Sequence, residues 1–200
     1  MRTTFHRRTA TKVRDGRVQR KNRSRPTSHE RCVIDRKSPA RGYRHVVTKR
    51  QLQDFIGIIP DWNVYSERLR RIVLDRGGYG CDGESLYCRR EESGVIYLDA
   101  WNAELWAEIK TGYFEAHRYI FERIGLACEQ LESGWMCRFT ESQVRAFLLL
   151  HVFMHELGHH YDKIQQKHHG ITKGEDYAEH FANSRFETLY PEYVRVFGAP

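Results

Sequence analysis

Two histidines four residues apart, with a glutamate between them, are the residues best placed to do chemistry in this chain. They are His155, Glu156 and His159 of His155-Glu156-Leu157-Gly158-His159, inside the apolar run FLLLHVFMHELGHHYD at 147–162. On a helix, residues i and i+4 stand one above the other, so the two imidazoles can converge on one ion. Glu156, one position along, can reach a water beside that ion. The ligand types and spacing suit zinc (Zn2+), with Glu156 as the general base that activates water for attack on a carbonyl. The string is short and the chain is rich in histidine, with 11 in 200 residues, so its neighbours must support the reading.

An open catalytic zinc needs a third protein ligand. Downstream, Glu175-Asp176-Tyr177-Ala178-Glu179-His180-Phe181-Ala182 reads as a second helix, with Tyr177 and Phe181 on its buried side. Glu175 and Glu179 share one face. The favoured assignment gives Glu175 to the metal and lets Glu179 accept a hydrogen bond from a ligand imidazole. The reverse assignment, or a histidine as third ligand, stays open. A competitor for Glu175 is specific: Thr172-Lys173-Gly174-Glu175 also reads as a capping box, in which that carboxylate folds back on its own helix start.

The remaining polar candidates divide by position. His151, four before His155, is read as a core residue or one that supports the ligands, and His160 as an exposed residue off the ligand face. His168 and His169 are alternative ligands in a Lys- and Gly-rich connection. Tyr161, Tyr177 and His180 are candidate donors to the oxyanion that develops when a carbonyl is attacked. Gln165 stands where the extended H-E-x-x-H-x-x-G-x-x-H pattern needs its third histidine, which excludes that pattern.

The elements that must position these residues are legible at low resolution. Thr140 with Gln143 is a capping box opening a long helix over 141–166, whose apolar first turns anchor the motif. Thr48 with Gln51 opens a shorter helix that Pro60 stops, and Asp61 is a candidate cap for the next. Ile72-Val73-Leu74 and GVIYLDA (94–100) read as strands, with a short pairing at 85–88 between them. Asn102 is the expected N-cap of a long helix to about Ile124, and 135–139 reads as another strand. GVIYLDA is the expected exposed sheet edge against which an extended peptide would pair.

Charge divides the chain. Residues 1–50 carry 17 Lys and Arg against Asp15, Glu30 and Asp35, a net of +14, and the whole-chain +7 leaves −7 for the remainder. The expected organisation is a basic, disordered arm over 1–43 and one domain over 44–200. Such an arm would contact nucleic acid or another anionic partner without sequence specificity, since Phe5 is its one aromatic before Tyr43. There is no secretory signal pattern and no run of about 18 apolar residues for a membrane span. Cys32, Cys81, Cys88, Cys128 and Cys137 are odd in number and lack C-x-x-C spacing, which is read as reduced thiols in a cytoplasmic protein.

The segment from about Thr140 to Pro191 resembles the zincin metallopeptidases, nearest the gluzincin arrangement of H-E-x-x-H followed by E-x-x-A/S-D/E. The pairing of H-E-L-G-H with E-x-x-A-x-x-F-A looks like the ImmA/IrrE type, bacterial peptidases that cleave repressor proteins. It is also similar to small bacterial zincin-like proteins. It differs from the ImmA/IrrE type in carrying Glu179 where that type has Asn and in showing no helix-turn-helix pattern. The resemblance implies His155, His159 and Glu175 as ligands and Glu156 as base. It also implies a minimal zincin-like α+β fold: a short mixed sheet, the H-E-x-x-H helix and a second, C-terminal ligand helix. The expected function is a zinc endopeptidase acting on a peptide or protein substrate. The alternative is a nucleic-acid-associated or protein-interaction module on the same fold, with structural zinc or without catalysis.

Overall fold

In the computed structural model, residues 13–14, 17–18, 32–78, 82–169 and 174–200 are described. The chain separates into Met1–Glu30 and Arg31–Pro200. The first unit holds a two-stranded antiparallel ladder of β1 (Val13–Arg14) and β2 (Arg17–Val18). The second unit is a mixed α and β structure. It begins with β3 (Val33–Arg36), β4 (Tyr43–Arg44), α1 (Lys49–Ile56) and α2 (Trp62–Tyr65). Then come β5 (Leu69–Asp75), β6 (Gly83–Cys88), β7 (Ser93–Asp99), β8 (Trp101–Asn102) and β9 (Trp106–Ile109). They are followed by α3 (Thr111–Arg123), β10 (Ala127–Gln130), β11 (Trp135–Arg138) and α4 (Glu141–Ala146). A π-helical stretch over Phe147–Phe153 joins α4 to α5 (Met154–His169), and α6 (Gly174–Phe197) closes the fold.

The main sheet has the order β3-β5-β7-β6. Strands β3, β5 and β7 are parallel, and β6 runs antiparallel to β7 at the edge. GVIYLDA is therefore an interior strand, flanked by β5 and β6, and the exposed edge beside α5 belongs to β6. Strand order is set by long-range pairing, which the apolar character of β7 does not report.

Strand β3 lies inside the stretch read as a basic arm. Its register with β5 runs from Val33↔Arg71 to Arg36↔Leu74, and Lys37 N–H to Leu74 O at 2.9 Å extends it. Cys32 and Ile34 pack on the core while Asp35 pairs with Arg71 at 3.1 Å, so a charge-rich edge strand is satisfied on both sides. The domain thus starts before residue 44.

Both predicted capping boxes form. Thr140 Oγ1 accepts from Gln143 N–H at 3.1 Å while Gln143 Oε1 accepts from Thr140 N–H at 2.9 Å. The Gln143 amide also donates to the Gly125 carbonyl at 2.9 Å, tying the end of α3 to the start of α4. Asp61 does not cap α2: it takes a left-handed φ of 55° with no side-chain cap bond. The expected helix over 102–124 begins only at Thr111. Asn102 instead accepts from Glu104 N–H at 3.0 Å in a turn, and Trp106–Ile109 pairs with β11. Leu105, Trp106 and Ile109 mimic a helical stripe, and tertiary pairing overrides it.

Between α4 and α5 the winding widens, and all seven residues of Phe147–Phe153 are buried. Nothing in the sequence of that stretch explains the wider turn. Phe153 meets Phe55 edge-on at 6.1 Å, and Phe55 meets Tyr193 of α6 at 6.4 Å. Each such side chain contributes about 1.5–3 kcal/mol by burial, so the motif that follows starts from a fixed base.

Cys128 and Cys137 oppose each other across β10 and β11 and are joined by a disulfide, contrary to the expectation of unpaired thiols. Among the described residues Cys32 and Cys88 are free, and burial pushes the Cys32 thiol up to about 12; Cys81 lies outside the described residues. No helix among them is long and apolar enough to cross a membrane.

Candidate metal centre

His155, Glu156 and His159 occupy the first turns of α5, directly after the buried π stretch. Their partner comes from α6, and the approach of the two helices depends on small residues. A Cβ on Gly158 would stand 3.0 Å from Phe181 Cβ and 3.1 Å from Ala178 Cα, so a side chain there would make α6 give by a few tenths of an ångström. Ala178, Phe181 and Ala182 are buried in that contact.

Glu175 reaches across the gap. Its Oε2 is 3.2 Å from His155 Nε2 and 3.3 Å from His159 Nε2, and the three donor atoms lie within 4.8 Å of one another. A tetrahedral zinc with bonds of about 2.0–2.1 Å places its ligand atoms about 3.3 Å apart. The donor types suit zinc, and the two distances from Glu175 match that spacing.

Asp162 serves the start of α6: its buried carboxylate accepts from Gly174 N–H at 3.3 Å. The Glu175 carboxylate faces the histidines. Thr172 of the capping-box reading lies outside the described residues.

Glu179 stands one turn behind. Its Oε2 meets His155 Nδ1 at 3.2 Å, and its Oε1 accepts from Asn183 Nδ2 at 2.8 Å. With Nδ1 donating to Glu179, His155 turns the lone pair of Nε2 toward Glu175 and His159. Burial would raise the Glu179 carboxyl, but His155, His151 and Asn183 outweigh it and hold it down at about 2. Burial lowers the His155 imidazolium, and the surrounding carboxylates, Glu179 first, reverse the shift to a net rise. His159, which burial and then the neighbouring His155 both disfavour as a cation, is shifted down.

His151 is buried, with Nε2 3.7 Å from Glu179 Oε2 and its ring stacked on Phe147 at 5.5 Å. It lies in the π stretch, so it is not a regular i, i+4 neighbour of His155, and it supports Glu179 instead. Burial drives its pKa down to about 4. Glu156 is buried against the edge of the sheet, and that burial raises its carboxyl to about 7.

The cleft around these groups has a volume of about 380 Å3 and is lined by Gly83, Glu84 and Ser85 of β6 and by Lys163 of α5. A Cβ on Gly83 would meet Val152 at 2.8 Å and Glu156 Cγ at 3.0 Å, so glycine allows β6 to lie directly over the base. Asp99 N–H donates to Asp82 O at 2.9 Å, one step beyond the Gly83↔Leu98 pair. Antiparallel pairs alternate, so the backbone groups of Glu84, Leu86 and Cys88 face β7, while those of Gly83, Ser85 and Tyr87 face the open edge.

The proposed oxyanion donors are elsewhere. Tyr161 and Tyr177 belong to an aromatic cluster with Tyr65 and Phe181, the Tyr65–Tyr161 rings being 5.2 Å apart. His180 is exposed and does not line the cleft. His160, read as exposed, is fully buried: its Nε2 donates to Glu67 O at 2.9 Å. Its ring occupies the space a Cβ on Gly94 would need. The side chains of His168 and His169 fall outside the described residues. Lys163 was not singled out from sequence, although helical spacing offered it, four residues after His159 and seven after Glu156.

No family model, curated protein or solved structure matches the chain. Its function must come from the site itself.

Proposed function

We propose that the protein is a metal-dependent hydrolase, with His155, His159 and Glu175 as the ligands and Glu156 as the base. More narrowly, it is a zinc peptidase of zincin-like arrangement, in which an antiparallel edge strand flanks the ligand helix. The observation that carries this reading is the equal approach of one carboxylate oxygen, Glu175 Oε2, to two Nε2 atoms at 3.2 and 3.3 Å. Bound zinc would supply Lewis acidity and make a water more acidic at neutral pH.

The chain's own groups do the rest. Glu156, buried and lining the cleft, would take a proton from the attacking water and return it to the leaving amine. Glu179 holds the His155 ring through Nδ1, and Asn183 holds Glu179. The open edge of β6 offers the N–H and C=O of Gly83, Ser85 and Tyr87 to an extended peptide, which would run over Glu156.

The test is Glu156→Gln in the full chain. It should abolish cleavage of a denatured protein such as casein while zinc content, measured by plasma emission, stays near one equivalent. Cleavage that survives the substitution removes Glu156 from the mechanism. Wild-type protein that takes up less than about half an equivalent of zinc in metal-replete conditions would overturn the site.

A further inference from the structure

Among the described residues Lys163 is the one Lys or Arg that lines the cleft. Its ammonium donates to the Ser85 carbonyl at 3.2 Å, and that carbonyl is one of those turned to the open edge of β6. The contact therefore occupies a position that an added peptide strand must use. Among the described residues no carboxylate lies within ion-pair distance of Lys163, and its charge is felt by Glu156 and His159 without a direct bond to either. A half-buried ammonium whose one direct bond is to a neutral carbonyl has lost part of its hydration with no carboxylate in contact. A tether between α5 and β6 needs no charge; a receptor for a carboxylate does.

We infer that Lys163 is a specificity-determining residue that selects extended peptides carrying Asp or Glu near the bond to be cleaved. In the free protein it closes the β6 edge at Ser85. A peptide N–H that pairs with the Ser85 carbonyl displaces the ammonium, which then meets an acidic side chain of that peptide. Ser85 is two residues from Gly83, the strand position over Glu156, and two strand residues span about 6.6–6.8 Å. The acidic residue thus falls within two or three residues of the scissile bond. This inference rests on reading the cleft as a peptide site.

The test measures binding, so it does not require turnover. Full-length protein carrying Glu156→Gln, supplied with zinc and immobilised, is exposed to a random decapeptide library blocked at both termini, and retained peptides are sequenced by mass spectrometry. Asp and Glu should be enriched about threefold or more at one position, the size of a partly exposed ion pair. Adding Lys163→Met should erase the enrichment while zinc content and melting temperature hold, and Lys163→Arg should keep it. An unchanged enrichment with Lys163→Met, no acidic enrichment, or no retained peptide would each overturn the inference. If acidic peptides are retained through Lys163 yet wild-type protein cleaves none of them, the peptidase reading fails and the selection by Lys163 stands.

Discussion

Replacing Glu179 and Glu175 in turn by glutamine separates the two carboxylates that the sequence alone leaves exchangeable. Glutamine at 179 keeps shape and a hydrogen-bond acceptor for His155 Nδ1, now 3.2 Å from the carboxylate, but removes the charge that raises the basicity of Nε2. Loss of such a partner costs about 10- to 100-fold in metal affinity, and the isosteric change belongs at the low end, about tenfold or 1.4 kcal/mol. Glutamine at 175 removes a ligand. A four-ligand structural zinc is worth about 10–16 kcal/mol, so one ligand carries roughly 2.5–4 kcal/mol, about 10²- to 10³-fold.

Neither change should unfold the metal-free chain, because the side chains of Glu175 and Glu179 are 81% and 37% exposed and the packing of α6 rests on Ala178, Phe181 and Ala182. Competition against a chromophoric chelator measures both affinities, and thermal melts of metal-free protein check the fold. If Glu179→Gln loses zinc while Glu175→Gln retains it, the ligand is Glu179 and the geometry has been read backwards. If both lose it equally, the division between ligand and support is wrong.

Two further outcomes concern stability. Gly94→Ala should destabilise the domain by about 1–3 kcal/mol or more, because its Cβ would stand 2.1 Å from Nδ1 of the buried His160; urea unfolding within about 0.5 kcal/mol of wild type would remove the constraint. Glu156 supplies a pH signature in the metal-free protein. Its folded pKa is raised to about 7, so the stability it contributes is complete below the unfolded carboxyl's range of about 4.3. That stability is lost as pH rises through about 7. Glu156→Gln should flatten that decline, and superimposable pH–stability profiles would refute the buried carboxyl.

What could be read from sequence was what local chemistry determines. The Thr48–Gln51 and Thr140–Gln143 boxes form because each satisfies its own helix start within three residues. The pairing of Glu175 and Glu179 with the histidine helix follows from shared faces. What failed was decided by distant partners. Trp106–Ile109 became strand because β11 lies beside it, and GVIYLDA lost the edge because β6 folds back onto it. His160 is buried because Gly94, 66 positions earlier in the chain, leaves a space for its ring. Tyr161 and Tyr177 were candidate donors, and both rings pack on Phe181, Tyr177 at helical spacing and Tyr161 across the helix pair beside Tyr65.

The ligand set itself depends on two residues the motif does not name as chemistry. Gly158 occupies one of the two free positions of H-E-x-x-H, yet any side chain there would meet Phe181 and Ala178 and push α6 outward. A shift of a few tenths of an ångström is what those contacts require, and it would lengthen the distances of 3.2 and 3.3 Å from Glu175 to the histidines. Asp162 acts at the same place by a different route. Its carboxylate accepts the Gly174 N–H, one of the first donors of α6, and so ties the start of that helix to α5. The same α5 that supplies two imidazoles therefore also sets the depth at which α6 docks and holds the start of that helix. A ligand helix that presented only the two histidines and the glutamate, without Gly158 and Asp162, would hold its third ligand less closely and less firmly.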